Sequence, residues 1–170
     1  DGQLVVMRPD NTIPISRLVS TRMKDHSLPL KLFYQAPIFR QISSHHHQEK
    51  EIMQSGIEYI GDDSSISDTE VIKVCIDTLR QIGIKNIGID LGHSDFLKSF
   101  EPNQKNHLLN GNYVELGVIP KRGGSDLSKE HQKLDTVYKN IKKSLPDVHI
   151  NEGLVHGIHY YTGMIFECYN

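Results

Sequence analysis

Apolar residues recur at helical spacing at Ile15, Leu18, Val19 and Met23. They follow Asn11-Thr12-Ile13-Pro14, which offers capping side chains and an early proline, so a helix is predicted to about Lys24. From Lys31 to Gln41 the pattern changes to alternation: Leu32, Tyr34, Ala36, Ile38 and Arg40 share one side, and Phe33, Gln35 and Phe39 the other. After the polar stretch Ser43 to Lys50, a second strand puts Ile52, Gln54, Gly56, Glu58 and Ile60 on one face, which predicts an antiparallel pair with a long loop. Ser67-Asp68-Thr69-Glu70 has the form of a capping box, followed by the stripe Val71, Cys75, Leu79 and Ile82 and a stop at Gly83. Ile87, Ile89 and Leu91 alternate in a short strand ending Leu91-Gly92-His93. No period is sustained between Glu101 and Gly124, and Lys121-Arg122-Gly123-Gly124 has loop chemistry. Ser125 or Ser128 is then expected to cap a helix with Leu134, Val137, Tyr138, Ile141 and Leu145 inward and Pro146 beyond its end. Ile158 to Tyr169 alternates as a last strand. Strands in antiparallel pairs with helices inserted make an α+β fold.

With 170 residues, a hydrophobic share of 37% and a charged share of 24%, the chain is expected to form one soluble domain, and disorder and fibre are excluded. The chain opens without Met and its last strand pattern runs to the end, so both termini are read as cuts in a longer protein. No apolar run reaches the ~18 to 20 residues of a membrane span, and no secretion signal is present, so a cytoplasmic location is expected. Cys75 and Cys168 form neither a disulfide framework nor a metal spacing, and reduced thiols are expected. Net charge is −2, which disfavours a dedicated nucleic-acid binder.

Arg40, Gln54 and Glu58 fall on one face of the hairpin, where apolar neighbours make a bare charge expensive. Two readings stand: an Arg40–Glu58 ion pair inside the sheet, or a ligand site. His156-Gly157-Ile158-His159-Tyr160-Tyr161-Thr162-Gly163 is either an ordinary aromatic strand or a segment that brings backbone and the Tyr161 hydroxyl to a ligand above the sheet. His45-His46-His47 reads as a solvated loop because adjacent residues cannot all face one ion, and no metal site is assigned anywhere. Lys121-Arg122-Gly123-Gly124 lacks the strand and helix of a phosphate loop. His93 is equally a strand-end histidine bonded to backbone or a ligand group.

Five blocks together carry a resemblance: Arg8-Pro9-Asp10-Asn11-Thr12, Ile38-Phe39-Arg40, Gln54-Ser55-Gly56-Ile57-Glu58-Tyr59-Ile60-Gly61, Leu91-Gly92-His93, and Leu154 through Glu167. In this order they resemble the catalytic core of histidyl-tRNA synthetase. The resemblance implies a class II aminoacyl-tRNA synthetase-like antiparallel sheet flanked by helices, in one domain over 1–170 cut at both ends. It also implies a missing or reduced internal segment near 103–117. On this resemblance Glu58 and Tyr161 hold the imidazole of a bound histidine, Asp10, Thr12 and Gln54 its α-ammonium, and Arg40 its carboxylate. A guanidinium grips a carboxylate in fork geometry and carboxylates face a cation, so each role is chemically sensible.

The ATP side departs from the family. Ile42 stands where the second motif has an acid, Gln48 and Lys50 where its loop has arginines, His156 for the catalytic arginine, and His159 for the aspartate that follows. Cations aimed at a reacting phosphoryl group typically supply about 10³- to 10⁵-fold in rate, so adenylation is not expected and no catalytic residue or cofactor is assigned. A retained amino-acid pocket without phosphoryl-transfer groups is similar to the regulatory subunits of ATP phosphoribosyltransferase, a paralogous family. Membership there implies a short-form catalytic subunit as partner, histidine as effector, and a homodimer within a hetero-oligomer. An active, divergent histidyl-tRNA synthetase is the alternative.

Overall fold

The computed structural model describes residues 2, 5–40, 50–129, 131–156 and 161–170, and the chain divides into two compact units, Asp1–Asp62 and Asp63–Asn170. In the first, α1 (Thr12–Arg22) is held at its start by Asp10, whose Oδ1 accepts the amides of Thr12 at 3.0 Å and Ile13 at 3.3 Å. The expected cap, Asn11, makes no capping bond. A carboxylate one residue earlier satisfies two first-turn donors, which frees the Asn11 amide for another use.

Strands β1 (Leu30–Phe39) and β2 (Glu51–Ile60) pair antiparallel over their full lengths, with Leu32 opposite Glu58, Tyr34 opposite Gly56, Ala36 opposite Gln54 and Ile38 opposite Ile52. Alternation fixes this register: a slip of one residue would turn Gln54 and Glu58 to the other face. The reverse face carries Phe33, Met53 and Ile57, all exposed. The connecting loop, including His45-His46-His47, Ile42 and Gln48, lies outside the described residues.

In the second unit, α2 (Ser65–Gln81) is capped three residues before the predicted cap, Ser67. Ser64 is the cap, accepting the Ser67 amide at 3.2 Å, while the Ser67 and Thr69 hydroxyls bond back to the Ser64 and Ser65 carbonyls. The helix ends in a Schellman turn at Gly83, with φ of +99°, Gly83 N bonding Arg80 O and Ile84 N bonding Leu79 O, both at 3.0 Å. Ile72 and Ile76 face the core, one position over from the predicted stripe, and Ile82 is exposed.

β3 (Gly88–His93) leads into a 3₁₀ turn at Ser94–Ser99 and then α3 (Pro102–Leu109), a helix in a stretch where no period is visible. Only Leu108 of α3 is buried, too little to write a stripe. The predicted loop Lys121–Gly124 contains a two-residue strand, β4 (Arg122–Gly123), followed by a 3₁₀ turn at Ser125–Ser128. Next come α4 (Gln132–Lys142) and two strands, β5 (Val148–Asn151) and β6 (Met164–Tyr169). α4 starts later than either serine cap proposed from sequence; its cap position is His131.

The sheet order is β4-β5-β3-β6, with β3 and β5 parallel and the other pairs antiparallel, so the all-antiparallel expectation fails at one pair. The segment from β3 to β5 carries α4 and is long enough for the crossover that a parallel pair requires. Ile89, Leu91, Val148 and Ile150 of the sheet pack with Ile72, Ile76, Leu134, Val137 and Ile141 of α2 and α4. Arg122 ties the sheet together across its strands: its Nε donates to both oxygens of Asp90, at 2.9 and 3.0 Å, and its Nη2 to the Tyr169 hydroxyl. Among the described residues no helix is long and apolar enough to cross a membrane.

Candidate functional site

The chemistry of the first unit gathers where the start of α1 meets the hairpin. The Asn11 amide, freed from capping and 4% exposed, donates to Gln54 Oε1 at 3.1 Å. The Thr12 hydroxyl donates to Glu58 Oε1 at 2.8 Å. Gln54 and Glu58 are four residues apart on one face of β2, with Gly56 between them. A Cβ at Gly56 would overlap the ring of Tyr34, so the glycine makes room for an aromatic floor between the two polar side chains. Asn11 and Tyr34 are thus site residues to which the sequence analysis gives no role. Their signal was present in the pairing: Tyr34 lies opposite the one residue without a side chain.

Among the described residues, each of four acceptors has capacity left. Asp10 retains Oδ2, Glu58 retains Oε2, Gln54 Oε1 has a second lone pair, and the Thr12 hydroxyl can still accept. Asp10 is buried at 7% exposure and Glu58 is half-buried. Among the described residues no lysine, arginine or histidine is paired with either carboxylate. A partly buried cluster with two carboxylates and no internal cation favours a cationic ligand that can donate several hydrogen bonds.

Arg40, predicted for the same site, is not part of this cluster. Arg40 follows β1 at the far end of the face, its amide bonded to Lys50 O at 2.9 Å and its side chain exposed. Along the strand Arg40 is four positions from the level of Gln54 and eight from that of Glu58, about 13 and 26 Å. An Arg40–Glu58 ion pair inside the sheet is therefore excluded. Tyr161 belongs to the second unit, where its ring, 42% exposed, lies 5.3 Å from that of His156. Residues 157–160, with His159, lie outside the described residues.

The second unit holds further polar groupings. His93 Nδ1 accepts the Asp95 amide at 3.2 Å, the strand-end backbone bond anticipated for it, and its ring stacks on His131 at 4.2 Å. Burial, then the neighbouring His131, hold the His93 imidazole below the ordinary histidine range. Cys75 Sγ and Cys168 Sγ are 3.8 Å apart, both as free thiols. Their hydrogen bond draws Cys75 down to about 7 and pushes the Cys168 thiol up.

The family model for histidyl-tRNA synthetase matches residues 1–109. An ATP phosphoribosyltransferase regulatory subunit from Clostridium botulinum is 35% identical over 213 aligned positions, covering 99% of this chain and 50% of that protein. This chain spans about half the length of the first curated relatives it matches. Because 213 aligned positions face a chain of 170 residues, the relative carries extra residues within the matched span. Among solved structures, an ATP phosphoribosyltransferase regulatory subunit/histidyl-tRNA synthetase from Bacillus halodurans aligns with TM-score 0.74 and 26% identity, over 95% of this chain and 53% of that one. A chain of the ATP phosphoribosyl transferase (HisG:HisZ) complex from Thermotoga maritima aligns over 99% of this chain and 73% of its own, with TM-score 0.59 and 16% identity, which speaks for the fold. The α+β fold is the class II synthetase-like one expected from the motifs. The sequence match, the motif order and the shared fold agree: this chain belongs to the histidyl-tRNA synthetase family.

Proposed function

We propose that this chain is the ligand-sensing part of a regulatory subunit of ATP phosphoribosyltransferase. It binds free histidine, does not activate it, and passes its occupancy to a short-form catalytic subunit. One observation carries the reading: Asp10, Thr12, Gln54 and Glu58 offer four unfilled acceptor positions, two of them on carboxylates, with no cation among the described residues to neutralise them. Histidine supplies the complement, an α-ammonium and an imidazole N–H. The order of groups along the hairpin also fits: Glu58 for the imidazole, Gln54 with Asp10 and Thr12 for the ammonium, and Arg40 beyond them for the carboxylate. By the family resemblance, Tyr161 is also assigned to the imidazole.

The regulatory rather than catalytic reading rests on the names of the curated relatives and on His156 standing where the synthetases carry their catalytic arginine. Ile42 and Gln48 remove further charge from the ATP side by the same resemblance. A pocket without chemistry matters only if its occupancy is coupled to a second site, and coupling of this kind is typically ~1 to 3 kcal/mol, about 5- to 150-fold. The protein works in this proposal as a homodimer within a cytoplasmic hetero-oligomer. Its two units are parts of one synthetase-like domain from which a segment near 103–117 is reduced, in keeping with the extra residues of its relatives.

The test mixes the protein with a purified short catalytic subunit and follows phosphoribosyl-ATP formation against histidine. Activation on mixing and inhibition by histidine are expected, with no histidine-dependent exchange of pyrophosphate into ATP by the protein alone. Clear exchange would favour the synthetase alternative. Subunits that neither co-elute nor alter each other's activity would overturn the regulatory assignment.

A further inference from the structure

We propose that His93, Asp95 and His131 form a binding site for a divalent transition-metal ion of the zinc class. Sequence spacing hides this grouping, because His93 ends β3, Asp95 opens the following 3₁₀ turn, and His131 arrives from the start of α4. One candidate ligand atom from each of the three lies within 4.8 Å of the others. Tetrahedral ligands at zinc distances of about 2.1 Å sit about 3.4 Å from one another, so side-chain rotations closing up to about 1.4 Å complete the set. His93 Nδ1 is already 3.8 Å from Asp95 Oδ2.

The donor types suit such an ion: two imidazoles and one carboxylate, with positions left for water or a further ligand. The two rings lie side by side, and one must turn out of the stack for both in-plane lone pairs to meet at one ion. His93 stacks on His131 with 26° between planes, and Phe96 lies edge-on to both, 6.2 Å from His93 and 5.3 Å from His131. Neither ring nitrogen of His131 has a hydrogen-bond partner among the described residues. Among the described residues the His93 Nδ1 lone pair is taken only by the Asp95 amide, at 3.2 Å, so an ion placed there displaces one long bond. Asp95 and His131 also line an open cavity of about 350 Å³ whose wall includes the carboxylates of Asp126 and Glu152, giving space and oxygen donors for the outer positions.

One group competes. The Lys98 ammonium sits 2.6 Å from Asp95 Oδ1, and an ion must take over that carboxylate. This distinguishes a metal site from a histidine pair packed on a phenylalanine, since only a metal site is improved by removing the lysine.

The experiment uses the full chain, stripped of metal and titrated with Zn²⁺ against a chromophoric chelator, with Co²⁺ as a spectroscopic probe of imidazole ligation. One equivalent is expected to bind. Loss of a ligand should cost at least the ~10- to 100-fold seen for the weaker outer-shell changes, so His131→Ala and Asp95→Asn are each expected to weaken binding by about tenfold or more. Lys98→Ala should tighten it, and replacing His45, His46 and His47 should leave it unchanged. If His131→Ala fails to fold, the half-exposed Asp95 and the exposed Lys98 still carry the test. Failure of the wild type to bind, binding undiminished in Asp95→Asn, or loss confined to the triple-histidine replacement would each overturn the assignment.

Discussion

Replacing Glu58 by glutamine removes a charge from the proposed histidine pocket while keeping its shape, and the bonding around Glu58 sets the size of the effect. Glu58 Oε1 accepts the Thr12 hydroxyl at 2.8 Å and leaves Oε2 for a ligand donor. In Glu58→Gln the amide can turn its oxygen to the ligand and its NH₂ to Thr12, whose hydroxyl reverses to accept. Both contacts survive and only their charge assistance is lost. A hydrogen bond to a charged group contributes about 1.5 to 3 kcal/mol and a neutral one about 0.5 to 1.5. The difference, about 1 to 1.5 kcal/mol, is roughly 5- to 15-fold in Kd. Thr12→Val removes a charge-assisted bond in the wild type but only a neutral one in Glu58→Gln, so the double variant should lose less than the two single changes added, with a coupling of ~0.5 to 3 kcal/mol. Isothermal titration of histidine into the wild type and the three variants measures this, with unliganded melting as a check on folding. A Kd in Glu58→Gln within twofold of wild type, with unchanged melting, would refute the placement of the imidazole at Glu58. Strict additivity would refute the argument that Thr12 supports it.

Asp10 caps α1 and is assigned to the ligand ammonium in the proposed site, and the two roles separate: Asp10→Asn should keep the cap and lose histidine affinity, whereas Asp10→Ala should also cost about 1 kcal/mol in denaturant unfolding. Gly56→Ala drives a Cβ into the Tyr34 ring and should destabilise the protein by about 1 to 3 kcal/mol, while weakening histidine binding by shifting the aromatic floor. Cys75, drawn down to about 7 by the Cys168 thiol, should be alkylated with a rate that rises with pH and is half-maximal near that value, read by peptide mass mapping. Cys168 should stay unreactive there, and Cys168→Ala should move the Cys75 inflection up toward the ordinary thiol value of about 8.5.

How much of this the sequence discloses depends on how each element is stabilised. The hairpin is legible because two ten-residue strands alternate without interruption, and one register satisfies both. β5 is four residues long and lies parallel to its neighbour, so its pairing is set by the chain around it and no local alternation announces it. α3 escapes notice because one buried leucine suffices to hold eight residues capped by Glu101 and Gln104. The α2 stripe is misplaced by one position because Val71, Ile72, Cys75 and Ile76 offer two adjacent apolar stripes, and only packing against α4 chooses between them. Its cap is misread for a similar reason: a serine-rich start provides several hydroxyls, and Ser64 wins over Ser67 by opening the helix one turn earlier.

The site shows the same division between identity and arrangement. Asp10, Thr12, Gln54 and Glu58 are named by the motifs and do gather, because the residues before α1 lie across the face that β2 presents. What no motif conveys is which atoms are already engaged. Asp10 gives one oxygen to the helix, Glu58 one to Thr12, and Gln54 one lone pair to Asn11, a residue whose expected task was capping. A carboxylate with both oxygens engaged would need no ligand. Among the described residues each is left half-engaged, so the structure-forming bonds hold the side chains in place and the remaining acceptors stay available to a ligand. That division of each group between scaffold and ligand is why changing charge at fixed shape, as in Asp10→Asn and Glu58→Gln, should alter binding far more than folding.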